Sequence, residues 1–183
     1  MDILTAIQQR VTAVKLTEPG PSPEQIDRLL AAAARAPDHG RLAPWHFTIV
    51  AGAARERLGE VLAAFKQRQK PDCDEAALQA ERSKAMRAPV VIVAAARIVP
   101  GHKVPEIEQV LAVGSAVQNL LLAAHAMGFG SMWKSGAPAY DPEVKRAFGL
   151  EPRDHIVGFI YLGTPAVQVP VRDPELRDRV VRW

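Results

Sequence analysis

From Val110 to Trp133 the chain carries no Asp, Glu, Lys or Arg. A stretch of that kind belongs either in lipid or in the interior of a folded protein. It holds Ser115, Gln118, Asn119 and His125, and it closes on Gly128 and Gly130. Those polar groups would be costly in hydrocarbon. The sequence therefore predicts a long core helix from about Pro105 to Met127, buried on most sides, with Gly128 as the residue that ends it. No membrane partner is expected. Such a helix needs apolar neighbours on several sides, and the rest of the chain must supply them.

At 183 residues the chain is long enough for one domain, 1–183. A domain of this size buries roughly 70% of the surface its unfolded chain exposes, so neither disulfide nor metal is needed to hold a core. Cys73 is the single cysteine and has no internal partner. Met1-Asp2-Ile3-Leu4 lacks the basic and apolar regions of a signal peptide. A reduced, cytoplasmic setting is the expectation.

The remaining elements follow from periodicity and punctuation. Ile3, Leu4 and Ile7 predict a short helix over 2–10. Ser22-Pro23 followed by Gln25 reads as a capping box that opens a helix running to about Ala36. Residues 36–45, with two prolines, a glycine and an Asp-His pair, read as an irregular loop. Trp45 to Val50 reads as a strand, followed by helices over 53–69 and 74–88. Pro89 to Ala96, with Val90 through Ala96 apolar at every position, reads as a central strand buried on both faces. Phe129 to Lys134 and His155 to Gly163 are further strands, with a short helix from Asp141-Pro142 to Gly149 between them. This is a mixed α/β composition of about four strands whose order the sequence does not give. The apolar, proline-rich tail from Thr164 has little of its own to pack on. It is expected to lie along another surface, its own or a partner's.

A net charge of +3, with acids and bases interleaved, gives no reason to expect a nucleic-acid partner. The five histidines show no metal-ligand spacing, so no metal is expected. Gly128-Phe129-Gly130 lacks the third glycine of a dinucleotide fingerprint and lies between helix and strand in the wrong order. Ser131 and Ser135 lack the glycines of a nucleophile elbow. Arg10 and Thr12, with Lys15 close behind, form a workable phosphate clamp of charged fork and hydroxyl. His125 reads as a satisfied structural histidine and His39 as an ordinary loop histidine. Ser115, Gln118 and Asn119 need partners, which backbone, a symmetry mate or a ligand could each provide.

Several segments, taken in order, carry more. Arg35-Ala36-Pro37-Asp38-His39, Pro44-Trp45-His46-Phe47, His102-Lys103-Val104-Pro105 and Gln118-Asn119-Leu120 are followed by Gly128-Phe129-Gly130 and Trp133-Lys134-Ser135-Gly136. Ile156-Val157-Gly158-Phe159 and Tyr161-Leu162-Gly163-Thr164-Pro165 complete the set. Across nearly the whole chain this resembles the nitroreductase family, and within it the short bacterial members of the YdjA type. The resemblance implies an α+β fold with a central, mainly antiparallel sheet surrounded by helices. It implies an intertwined homodimer with FMN bound at the interface, the long helix packed there and the tail reaching across. NADH or NADPH would donate hydride to flavin N5, and a small-molecule acceptor, nitroaromatic or quinone, would then use the same slot.

On that resemblance the chemistry is carried by FMN and no side chain is catalytic. Arg10 and Thr12 match the clamp on flavin phosphate and ribityl. Arg35 and His39 match a loop that approaches the flavin across the interface. Trp133, Lys134 and Ser135 match the strand end that lies along the flavin, and residues 123–128 match a segment near the nicotinamide. Two positions depart from the family pattern. Val11 stands where a second basic residue is usual, a loss that Arg172 in the tail can offset, and Ala43 stands where many members have Gln. An alternative is a flavin-binding or flavin-modifying protein on the same fold without physiological nitroreductase activity. A cofactor-free helical interaction module is a third class.

Overall fold

The computed structural model describes residues 2–177 and 179–183. Its elements in chain order are α1 (Ile3–Gln9), β1 (Leu16–Thr17), α2 (Pro23–Ala33), β2 (Trp45–Ala51), α3 (Ala54–Gln69), α4 (Glu75–Ser83), β3 (Val90–Ala96), α5 (Glu106–Ala126), β4 (Gly130–Lys134), α6 (Pro142–Ala147) and β5 (His155–Pro165). The fold is α+β, with a central antiparallel sheet and helices around it.

Local chemistry sets many of the boundaries. Asp2 caps α1 by accepting from the backbone N–H groups of Leu4 and Thr5. At α2 the expected capping box is present. Ser22 Oγ accepts from Gln25 N–H, Gln25 Oε1 accepts from Ser22 N–H, and Pro23 takes the first turn. The helix stops at Ala33, three residues before the expected end. Residues 84–88 also leave the expected helix: α4 ends at Ser83 and a 3-10 turn, Lys84–Met86, follows. Gly128, at φ 84°, closes α5 in the left-handed conformation that a side chain would oppose.

β5 organises the sheet, because it pairs antiparallel with three strands. β3 runs along Ile156 to Leu162, β4 lies along Phe159 to Gly163, and β1 meets Thr164 and Pro165. β2 pairs antiparallel with the far side of β3. As the unbroken apolar run predicts, β3 is buried at all positions. Its alternate side chains feed two cores. Val91, Val93 and Ala95 pack with Leu58, Leu62 and Phe65 of α3 and Val144 of α6, together with Phe159 and Tyr161. Ile92, Ala94 and Ala96 pack with Leu29 and Ala33 of α2 and Val113, Val117 and Leu120 of α5, together with Ile160 and Leu162. The two-residue β1 was not expected from sequence.

The long helix is where expectation and structure part. Gln109, Ala112, Val113, Ala116, Val117, Leu120, Leu121 and Ala124 form one buried stripe, at the three-and-four spacing that faces a core. The opposite stripe is exposed: Ile107 is 61% and Leu111 60% accessible, with Ser115 and Gln118 in line. One chain therefore buries half of α5, not most of it. Ser115 Oγ donates to Leu111 C=O at 3.0 Å and Asn119 Nδ2 to Ala32 C=O at 3.4 Å, so two of the questioned polar groups find backbone. His125 does not follow expectation either, since its Nε2 is buried without a hydrogen-bond partner. Beyond β5 the described tail residues form no helix or strand, and Val171, Leu176, Val180, Val181 and Trp183 are exposed rather than folded onto this chain's core.

Candidate functional site

The segment after α1 lies beside β4. Thr12 bridges Ser131 in parallel fashion, and Ala13 N–H donates to Ser131 C=O at 2.9 Å. This close approach depends on Gly130. A Cβ there would stand 2.8 Å from Leu16 Cδ2 and 3.0 Å from Ala13 Cβ. Arg10 is the half-buried C-cap of α1, its backbone N–H donating to Ala6 C=O, and Thr12 is exposed.

Along β4 the side chains alternate between faces. Met132 and Lys134 sit opposite Tyr161 and Phe159, on the α3 and α6 side of the sheet. There Lys134, Lys15 and Arg87 surround a cleft of about 390 Å³, with Val14, Leu16, Met86 and Met132 as its apolar wall. Among the described residues no carboxylate lies within salt-bridge distance of these three cations. Burial pushes the Tyr161 phenol above its usual range, and the charge of Arg87 opposes that shift from nearby. A cleft lined by three cations, with no carboxylate near them among the described residues, suits an anionic ligand.

Trp133 points to the other face, opposite Ile160. Its seat is a β-bulge. The register of β3 and β5 shifts between Ala94 and Ala95, whose partners are Gly158 and Ile156, so Val157 has no opposite number. Trp133 Nε1 donates to the freed Val157 carbonyl at 3.1 Å. The indole lies where a side chain on residue 158 would be, since a Cβ on Gly158 would be 2.1 Å from Nε1. Gly158→Ala is therefore expected to unseat Trp133 and to lower the unfolding free energy by about 2 kcal/mol. Denaturant melts, with Trp133 emission read in a Trp45→Phe, Trp183→Phe background, check both parts.

The sequence-derived candidates divide into groups. Arg10, Thr12, Trp133, Lys134 and Ser135 share the edge formed by residues 10–15 and β4, with Ser135 exposed just past the strand. Arg35 and His39 do not join them. Arg35 lines a separate, mostly apolar cavity of about 380 Å³ with Ile3, Ala6, Asn119, Leu122 and Ala126. His39 opens a 3-10 turn, His39–Arg41, inside the loop expected to be irregular, and its ring meets Glu108 of α5. Both lie on the α2 and α5 side of the sheet. Arg172 is exposed in the tail and lines none of these clefts. Arg87 was missed by sequence reasoning because nothing local marks it. It joins Lys15 and Lys134 only through the pairing of distant strands.

A larger cavity of about 570 Å³ lies between the end of α5 and the first part of the tail. Gln9, Val11, Phe129, Ser131, Gln168 and the unpartnered His125 are on its wall.

A family model described as "Nitroreductase family" matches residues 7–164. The chain is 41% identical to the "Putative NAD(P)H nitroreductase YdjA" of Escherichia coli (strain K12), over 95% of this chain and 96% of that relative. Among solved structures, a nitroreductase-like family protein from Bacillus cereus superposes with a TM-score of 0.82 at 23% identity, covering 100% of this chain and 96% of that one. A nitroreductase from Desulfovibrio desulfuricans, solved in complex with FMN, gives a TM-score of 0.77 at 23% identity, covering 100% and 97%. At those identities the two structures speak for the shared fold.

Proposed function

Because the chain belongs to the nitroreductase family, we propose that it is an FMN-dependent oxidoreductase that uses NADH or NADPH to reduce nitroaromatic, quinone or similar flat acceptors. The observation that carries this reading is the cleft of Lys15, Arg87 and Lys134, with no carboxylate among its described lining, next to the edge where Thr12 bridges Ser131. When bound, FMN supplies the hydride relay between the nicotinamide donor and the acceptor.

The residues present fit that group. Arg10 offers a charged fork and Thr12 a hydroxyl to phosphate and ribityl. Lys15, Arg87 and Lys134 would stabilise negative charge on the reduced ring system, and Val14, Met86 and Met132 offer it apolar contact. The edge of β4 toward Ser135 would offer backbone N–H groups to the ring. Arg172 offers a further cation to the phosphate, in place of the basic residue absent at Val11. No side chain of this chain is required as acid, base or nucleophile.

The reading includes a homodimer with the site shared between copies. Arg35 and His39 lie across the sheet from the Lys134 cleft, so one chain does not bring both groups to one ligand. The exposed stripe of Ile107 and Leu111 and the apolar tail supply surface for a second copy. The FMN-loaded protein is expected to sediment as a dimer. A monomer with a full complement of FMN would overturn the shared site.

The visible spectrum tests the function directly. Purified protein should show flavin absorbance that bleaches under anaerobic NADH or NADPH and returns on adding a quinone or nitroarene. Flavin that is bound but not reduced would favour the flavin-binding alternative. A chain that takes up no flavin would overturn the proposal.

A further inference from the structure

We propose that Glu108 is a positioning residue for His39, fixing the imidazole so that Nε2 is the atom offered to the flavin of a second copy; this rests on the FMN reading above. His39 Nδ1 lies 2.5 Å from Glu108 Oε2. A carboxylate only accepts hydrogen bonds, so the hydrogen of this contact sits on Nδ1. That fixes both the direction of the ring and the atom left over. Nε2 has no partner among the described residues, and the His39 side chain is 64% exposed.

Both ends of the contact are held. On the loop side, Ala43 N–H donates to Asp38 Oδ2 at 2.6 Å, and Arg41 and Ala43 are pinned at φ 55° and 47°. Gly40 closes against the Val104 segment, where a Cβ would meet Val104 Cγ2 at 2.9 Å. On the helix side, the first turn of α5 is tied down on both flanks of Glu108. Gln109 is buried and bonded to the backbone of Val99 and Val104, and Glu106 meets His155 Nε2 at 2.6 Å. Glu108 thus projects from a fixed platform toward a ring on a fixed loop. Neither residue lines the Lys134 cleft of its own chain.

A double-mutant cycle in the full-length, FMN-titrated protein tests this. Glu108→Ala and His39→Ala are each expected to raise the FMN dissociation constant about tenfold and to shift the flavin absorbance band alike. The double variant should be no weaker than His39→Ala alone. Glu108→Gln keeps an acceptor for Nδ1–H and should restore most of the affinity. Glu143→Ala, which breaks the exposed Glu143–Arg146 pair of α6 instead, should leave FMN binding unchanged. If the parent protein binds FMN and Glu108→Ala leaves affinity and spectrum unaltered, or if the two losses simply add, the positioning role is wrong and the FMN reading stands. A parent chain that binds no FMN overturns both.

Discussion

Arg87→Glu is expected to raise the FMN dissociation constant about a hundredfold, while Arg87→Lys stays within a few-fold of the parent. The cleft holds Lys15, Arg87 and Lys134 and, among the described residues, no carboxylate. A glutamate at this position does two things at once. It withdraws a cation from the ligand, and it gives Lys15 and Lys134 an internal partner, which lowers what they have left to offer. Because Arg87 is exposed and makes no ion pair among the described residues, the substitution should leave the unfolding midpoint nearly unchanged. Flavin fluorescence titrations at low and high salt measure the effect, and the salt sensitivity should fall in the variant along with affinity. Unchanged binding would place the flavin away from this cleft.

The largest effect on stability is expected at Gln109, on the inner stripe of α5. Its side chain is 2% exposed. Oε1 accepts from Val99 N–H at 2.9 Å, and Nε2 donates to Val99 C=O at 3.3 Å and Val104 C=O at 3.2 Å. Gln109→Leu keeps the bulk and removes all three partners. The backbone groups left behind are buried or half-buried, so the loss should be about 3 kcal/mol. For a chain of this length that corresponds to a melting temperature lower by roughly 9 °C. Calorimetry reads the number directly. A drop under one degree would mean that the 99–104 loop finds water or other partners as readily as it finds Gln109.

Much of the fold was legible because its determinants are local. The Ser22–Gln25 box, the Asp141-Pro142 start and the Gly128 stop each act within one helical turn. β3 was legible as a central strand because burial on both faces leaves an unbroken apolar record. What escaped depends on distance along the chain. β1 is two residues long and exists only because Thr164 and Pro165 are there to meet it. Arg87 and Lys15 become one feature only when β5 pairs with both β3 and β1. α5 misled for a different reason. Its outer stripe is almost as apolar as its inner one, so periodicity could not tell the face turned to this chain's core from the face left open. The family resemblance filled part of that gap by implying a second copy, and it named Arg35 and His39. Their separation from the cleft within one chain makes that implication specific enough to test.

The position of β5 in the sheet also has a consequence for how the chain is made. It is the strand that three others need, and it follows all of them in chain order. During synthesis β2 and β3 can already pair, and α2 can already curl. But one edge of β3, apolar throughout, then waits with open backbone groups until residues 155–165 have emerged. The nascent protein therefore adds the whole stretch 97–154 with its stickiest strand half-covered. Its yield in a cell will depend on how quickly that last strand arrives and how well chaperones shield β3 until it does.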